Sequence, residues 1–119
     1  MSYGNTLSKQ ALDLSGNNFS GGIDSFLGNF STSLNNSMES LDLSFNRLAG
    51  KIPDSLGRLG SLTNLFLYSN SFSGSIPSSI GYLSSLQLFF LSENEMNGTI
   101  PESLGQLSKL VSLSLELNS

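Results

Sequence analysis

One short unit recurs along the chain at a nearly constant spacing, and this repetition restricts the fold more than any other feature. Each copy contains two apolar residues separated by one residue, and an asparagine follows three residues after the second. Successive asparagines are separated by 29 residues once and by 24 residues three times. These asparagines are Asn17, Asn46, Asn70, Asn94 and Asn118. Repetition with a period of roughly 20 to 50 residues is typical of elongated proteins whose copies stack on one another.

The positions within the unit have distinct physical roles. Alternating apolar residues such as Leu65 and Leu67 predict a short strand with one side turned inward. A single strand of this kind cannot bury its apolar side, whereas a stack of copies buries a shared core. The closing asparagine can pair with backbone groups that the turn after the strand leaves unbonded. We therefore interpret the five asparagines as a structural ladder rather than a catalytic set.

Glycine and proline recur at fixed places in the rest of the unit. A glycine four residues after the asparagine is expected to adopt a positive φ or to approach another backbone closely. These glycines are Gly21, Gly50, Gly74 and Gly98. A proline is predicted to occupy the first position of a short helical turn, which a second glycine would end. The prolines are Pro53, Pro77 and Pro101, and the second glycines are Gly57, Gly81 and Gly105.

This unit resembles the plant-type extracellular leucine-rich repeat, L-x-x-L-x-x-L-x-L-x-x-N-x-L-x-G-x-I-P-x-x-L-G-x, over nearly the whole chain. The resemblance implies an α/β solenoid: a right-handed coil of about four to five repeats. A parallel concave β-sheet is expected on one side and short helical or 3-10 turns on the convex side, without cysteine caps. The segment from Met96 to Leu110 is most similar to receptor-like proteins of plants, in particular the group that perceives fungal xylanase.

The repeats divide the chain into an irregular N-terminal segment, residues 1–8, and a repeat domain, residues 9–119. The long repeat holds its extra residues near 31–37, which we predict to form a loop. The family normally begins with a cysteine-bearing cap, and this sequence contains no cysteine. We therefore expect the chain to be a segment of a longer receptor, with end-to-end association through its uncapped repeats.

The amino-acid composition restricts the kinds of binding and catalysis that this chain can support. The chain has 119 residues, a net charge of -4 and neither histidine nor cysteine. An acidic chain is unsuited to nucleic acid, and the missing residue types remove thiol chemistry and the commonest metal ligands. We expect no metal, no cofactor and no catalytic residue.

Several features indicate a secreted origin for the parent protein. Four N-x-S/T sequons predict N-glycosylation: they begin at Asn18, Asn29, Asn35 and Asn97. The sequence itself shows neither a signal-peptide pattern nor a membrane-spanning run. The resemblance implies an extracellular, apoplastic location or a plasma-membrane ectodomain.

The outward side chains of the strands supply the candidate ligand-binding surface. The third and fourth copies carry Phe66 and Phe90 where the first two carry aspartate. Adjacent strands lie about 4.8 Å apart, so these rings are expected to be neighbours. Further apolar residues flank them, and Asp42, Glu93 and Glu116 surround them. The predicted concave-face site is Phe45, Phe66, Tyr68, Leu88, Phe90, Glu93 and Glu116. Such surfaces are typical of protein or carbohydrate recognition, although the rings could instead cover the core or contact a neighbouring receptor segment.

Two other kinds of activity remain open. Glu93 and Glu116, on adjacent strands, could approach the separation of a glycosidase pair, but nothing in the sequence builds a pocket around them. An array of flank hydroxyls could bind ice, as in some relatives of this repeat, although Ala49, Lys51 and Asn97 interrupt it. The hydroxyl residues are Ser20, Ser73, Ser75 and Thr99.

The sequence thus favours non-catalytic recognition over catalysis. The resemblance implies a plant cell-surface receptor module for defence or signalling, with a protein or peptide ligand such as a microbial or cell-wall protein, and a co-receptor. The alternative is an inhibitor-type repeat protein that binds a secreted cell-wall hydrolase.

Overall fold

A computed structural model describes residues 10–24 and 37–118 of the chain. The predicted N-terminal segment, all but the last residue of the predicted loop at 31–37, and the sequons at Asn29 and Asn35 lie outside the described residues.

The principal sheet is built from one short parallel strand per repeat. Its strands are β1 (Gln10–Asp13), β3 (Met38–Asp42), β5 (Asn64–Phe66), β7 (Leu88–Phe90) and β9 (Ser112–Ser114), in the spatial order β1-β3-β5-β7-β9. The inward apolar residues pair directly in one row: Leu12, Leu41, Leu65, Phe89 and Leu113. The predicted leucine-rich repeat architecture with a parallel sheet is therefore confirmed.

A second parallel sheet follows the ladder asparagines, and the sequence reasoning missed it. Its strands are β2 (Ser20–Gly21), β4 (Arg47–Lys51), β6 (Ser71–Gly74) and β8 (Glu95–Met96), in the order β2-β4-β6-β8. The glycine near the end of each segment has a positive φ, between 76° and 89°, as predicted. Because these segments are two to five residues long, they carry too few alternating positions for periodicity to reveal them.

On the convex side, the described residues form three 3-10 turns, Asp54–Arg58, Ser78–Tyr82 and Glu102–Gln106. The predicted positions of the proline and of the second glycine within these turns were wrong. Pro53 precedes the first turn in an extended conformation, with φ -78°, and its carbonyl accepts the Leu56 amide. Gly57 lies inside the turn, which Leu59 caps. An added Cβ at Gly57 would meet the Ser79 carbonyl oxygen of the next turn at 2.6 Å, so this glycine permits close packing between coils rather than ending a helix.

The core is a strip between the two sheets and the turns. The central repeats contribute most of the fully buried side chains, which include Leu41, Leu48, Leu56, Leu65, Phe72 and Phe89. At the C-terminal side of the last coil, by contrast, Ile100 is 57% exposed. The sheet carrying the candidate site therefore has a complete apolar layer beneath its central strands.

Candidate functional site

Ladder asparagines tie each coil to the coil before it. The Asn46 amide nitrogen donates to the Leu43 carbonyl of its own coil and to the Leu14 carbonyl of the preceding coil, both at 3.0 Å. Its Oδ1 accepts the backbone N–H of Phe19 at 2.9 Å. Asn70, Asn94 and Asn118 repeat this arrangement. These bonds hold successive coils in register, because each of these asparagines bonds the carbonyls that follow two neighbouring strands of the principal sheet and an amide of the second-sheet segment.

The residue immediately before each ladder asparagine adopts a left-handed backbone conformation. Gly16, Phe45, Ser69, Glu93 and Leu117 have φ values between 55° and 68°. This conformation costs an L-residue about 1–2 kcal/mol, and only the first of these positions is a glycine. From this backbone conformation Phe45 contacts Tyr68, and Glu93 accepts a hydrogen bond from the Ser69 hydroxyl. Sequence reasoning missed this feature because four of the five residues are not ones that favour it.

Four aromatic side chains contact one another on the concave face, and we call Phe45, Phe66, Tyr68 and Phe90 the aromatic patch. Phe66 and Phe90 are direct register partners on β5 and β7, with ring centroids 5.1 Å apart. Tyr68 meets Phe45 edge-on at 5.2 Å. Tyr68 also lies within 6.5 Å of Phe66 and 6.4 Å of Phe90. The patch is therefore one continuous surface across three repeats.

These rings are accessible to a ligand. Phe45 is 56% exposed, and the other three rings are partly exposed. Leu88, two residues before Phe90 on β7, shares the outward side of the strand and is also partly exposed. The structure thus brings the four rings of the predicted site into mutual contact and places Leu88 on the same strand as Phe90.

Carboxylates border the patch on both sides. Asp42 is the register partner of Phe66, and Asp13 is the register partner of Asp42. On the other side, Glu93 accepts a hydrogen bond from the Ser69 hydroxyl at 3.0 Å. Asp13 was left out of the predicted site, although its place in the repeat, equivalent to that of Asp42, could have identified it.

Hydrogen bonds from neighbouring serines favour the anionic form of two carboxyl groups, those of Asp13 and Glu116. The Ser15 hydroxyl and amide donate to Asp13 Oδ1 at 2.6 and 2.9 Å, which lowers the pKa of Asp13 below its ordinary value. The Ser114 hydroxyl donates to Glu116, and with the Glu116 amide it lowers the pKa of that carboxyl group. The general acid of a glycosidase needs a raised pKa. The pKa of Glu116 is instead lowered, which does not suit that role.

The remaining predicted sites lie on other surfaces. Asn18 and Asn97, which begin the two described sequons, are exposed. On the second sheet, Lys51 pairs in register with Ser73 and interrupts the row of hydroxyls. Within residues 10–24 and 37–118, no three acidic side chains are grouped so that they could hold a metal ion.

Comparison with known proteins places these features in a family. The family model for the Leucine Rich Repeat matches residues 10–30, 37–59, 61–83 and 85–107. A relative named as a "probably inactive leucine-rich repeat receptor-like protein kinase" of Arabidopsis thaliana is 47% identical over 53 residues, which cover 44% of this chain and 5% of that protein.

Solved structures of plant proteins share the fold. The Arabidopsis receptor kinase HAESA, solved with the peptide hormone IDA and the co-receptor SERK1, is 39% identical, with a TM-score of 0.77. The match covers 91% of this chain and 17% of that one. A plant ice-binding protein is 31% identical with a TM-score of 0.81, covering 92% of this chain and 34% of that one. The chain thus corresponds to only part of each relative. In the portion of the chain that the structure describes, no helix is long and apolar enough to cross a membrane.

Proposed function

Because the chain belongs to the leucine-rich repeat family, we propose that it is a non-catalytic recognition module whose aromatic patch binds a protein or peptide ligand. The observation that carries this proposal is the mutual contact of four rings on an accessible concave sheet. Large contiguous apolar surfaces rimmed by polar residues mark interaction sites, and aromatic side chains are enriched among the residues that dominate binding energy.

The patch is not needed to complete the core. Leu65 and Leu67, which alternate with Phe66 and Tyr68 along the same segment, are fully buried on the inward side. The outward rings therefore add apolar surface to the water-facing side of a sheet whose interior is already closed. Covering such surface with a ligand is favourable by about 25 cal/mol for each Å² removed from water.

The relatives support a receptor context. HAESA is a receptor kinase whose structure contains a peptide hormone and a co-receptor. By analogy, we assign this chain to the extracellular part of a plant cell-surface receptor for defence or signalling, with a peptide or protein ligand and a co-receptor as partners. The sequence from Met96 to Leu110 supports the finer assignment to the group that perceives fungal xylanase, which makes fungal xylanase the first protein ligand to test.

Biolayer interferometry against a purified fungal xylanase and a panel of secreted cell-wall hydrolases tests the proposal. We expect Phe66→Ala combined with Phe90→Ala to weaken binding at least about 30-fold, the effect of losing roughly 2 kcal/mol at an interface centre. Tyr82→Ala is the matched control, because Tyr82 is 73% exposed on a convex turn. Equal binding by the double variant and the control, with unchanged circular dichroism, would show that the patch is not the site.

The same panel separates receptor and inhibitor functions. An inhibitor-type repeat protein would reduce the activity of the hydrolase that it binds, whereas a receptor module would leave that activity intact. Measuring hydrolase turnover with saturating chain therefore decides between the two.

Ice binding is a second candidate, favoured by the likeness to the plant ice-binding protein. Ser20, Ser75 and Thr99 are exposed, but Lys51 is exposed beside Ser73 in the same sheet. Thermal hysteresis that disappears in Ser75→Lys and persists in Tyr82→Lys would support this function.

A further inference from the structure

The described lysines and arginines all lie away from the concave face of the solenoid. Five segments run from the start of each strand of the principal sheet to its ladder asparagine: residues 10–17, 38–46, 64–70, 88–94 and 112–118. They carry five of the chain's nine carboxylates: Asp13, Glu39, Asp42, Glu93 and Glu116. None of these segments contains a lysine or an arginine. The described basic residues lie outside them, at Arg47, Lys51, Arg58 and Lys109. The surface that presents the aromatic patch is therefore uniformly acidic.

The register of the sheet aligns two carboxylates with two rings. Asp13 pairs with Asp42, Asp42 with Phe66, and Phe66 with Phe90. Adjacent strands are about 4.8 Å apart, so the four outward side chains form one row across four repeats. The negative charges of Asp13 and Asp42, which lie on neighbouring strands, repel each other. A bound cation would reduce this repulsion.

Both aspartates retain an oxygen for a ligand. The hydrogen bonds to Asp13 from Ser15 end on Oδ1, and those to Asp42 from Ser44 also end on Oδ1. Oδ2 of each aspartate has no hydrogen-bond partner among the described residues. The serines thus fix the orientation of the two carboxylates and leave one acceptor on each.

We infer, on the basis of the proposed function, that the concave site takes a cationic peptide segment whose arginine lies between Asp42 and Phe66. A guanidinium group donates several hydrogen bonds in a planar fork and packs on aromatic rings. It can therefore bind a carboxylate and the neighbouring ring together, whereas an ammonium group acts as a compact point charge. Glu93 and Glu116, on the far side of the patch, favour a second positive charge in the same peptide.

Selection from a displayed library of random twelve-residue peptides tests this inference. The intact chain is the target, and the Phe66→Ala, Phe90→Ala variant is used for counter-selection. We expect the peptides that depend on the patch to carry a net positive charge and to be enriched in arginine. Patch-dependent peptides that are neutral or acidic would overturn the inference and leave the recognition function standing. A library that yields no patch-dependent peptide would overturn both.

Fluorescence anisotropy with the best selected peptide then tests whether the positive charge of its arginine is needed for binding. Replacing its arginine with citrulline, which keeps the shape and removes the charge, should weaken binding to the intact chain about 10-fold or more. The protein variant Asp13→Asn, Asp42→Asn should weaken binding similarly. The control Asp54→Asn, Glu102→Gln makes the same charge change on the convex turns and should alter the affinity less than about twofold. Equal affinity of the arginine and citrulline peptides would refute the inference even if a protein variant failed to fold.

Discussion

Asn94 and Phe72 are joined across neighbouring coils, because the backbone N–H of Phe72 donates to Asn94 Oδ1 at 2.9 Å in a buried environment. The amide nitrogen of Asn94 also reaches the Leu67 carbonyl at 3.0 Å. The Asn94 side chain thus forms hydrogen bonds with two backbone groups of the preceding coil, the Phe72 N–H and the Leu67 carbonyl. The concave sheet depends on such links, since each of its strands is only three to five residues long.

We expect Asn94→Ala to lower the free energy of unfolding by about 2–4 kcal/mol. The substitution leaves the buried Phe72 N–H without a partner, which costs about 1–3 kcal/mol, and it also removes one of the two side-chain amide bonds to each of the Leu67 and Leu91 carbonyls. Urea unfolding followed by circular dichroism measures the change. Asn97→Ala is the control, since Asn97 is exposed and its loss should cost less than about 0.5 kcal/mol. Equal midpoints for the two variants would contradict the structural role of the ladder.

The sequence predicts the parts of this fold that repeat with a clear chemical reason. The paired row from Leu12 to Leu113 follows from alternation, and the positive φ of the glycines follows from the missing Cβ. Ring contact between Phe66 and Phe90 follows from equal position in successive repeats. The tilt of the rings and the edge-on contact of Phe45 depend on tertiary packing and on a left-handed backbone. Neither is encoded in a local pattern, so sequence reasoning could not reach them.

Gly57 and Gly60 offer a test of packing between the convex turns. An added Cβ at Gly57 would meet the Ser79 carbonyl oxygen at 2.6 Å, whereas one at Gly60 would meet nothing within 4 Å. Gly57→Ala should therefore destabilise the chain by about 1–3 kcal/mol through overpacking. Gly60→Ala should be neutral or stabilising by up to about 1 kcal/mol, because alanine restricts the unfolded chain. The comparison requires only thermal unfolding of the two variants, and a lower midpoint for Gly60→Ala would contradict the predicted order.

Leu117 is a site where a substitution should stabilise the chain. It has φ 61° and is 71% exposed, so its side chain gains little from packing while its backbone is strained. Asparagine tolerates the left-handed conformation far better than leucine. We expect Leu117→Asn to raise the free energy of unfolding by about 0.5–1 kcal/mol. Leu117→Val, which is β-branched, should lower it, and the opposite ranking in denaturant titrations would argue against strain at this position.

Low pH should reduce the folding stability of the chain, because it protonates the two carboxyl groups that accept hydrogen bonds from serines. The pKa values of Asp13 and Glu116 are lowered from ordinary values of 3.8 and 4.5 by their hydrogen bonds. A lowered folded-state pKa means that the stabilisation is fully present above the ordinary value and is lost as the pH falls through the folded-state value. Stability should therefore begin to fall near pH 4.5 and continue to fall below 3.8. Ser15→Ala combined with Ser114→Ala should flatten this part of the profile, and an unchanged acid slope would show that these bonds contribute nothing.

The outer side of the last described coil should mediate association between chains. Ile100 is 57% exposed and Leu113 is 37% exposed, and both border the end of the apolar strip. A cavity of about 130 Å³ opens beside Ile100, and its lining residues are Ile76, Met96, Asn97, Gly98, Thr99, Ile100, Leu115 and Asn118. We expect the chain to associate with rising concentration and Ile100→Lys to reduce this association, because a lysine there places a charge on the contact. Light scattering after size exclusion measures the mass, with Tyr82→Lys as a control that adds the same charge on a convex turn. Equal mass for the intact chain and Ile100→Lys across the concentration range would rule out this surface as the contact.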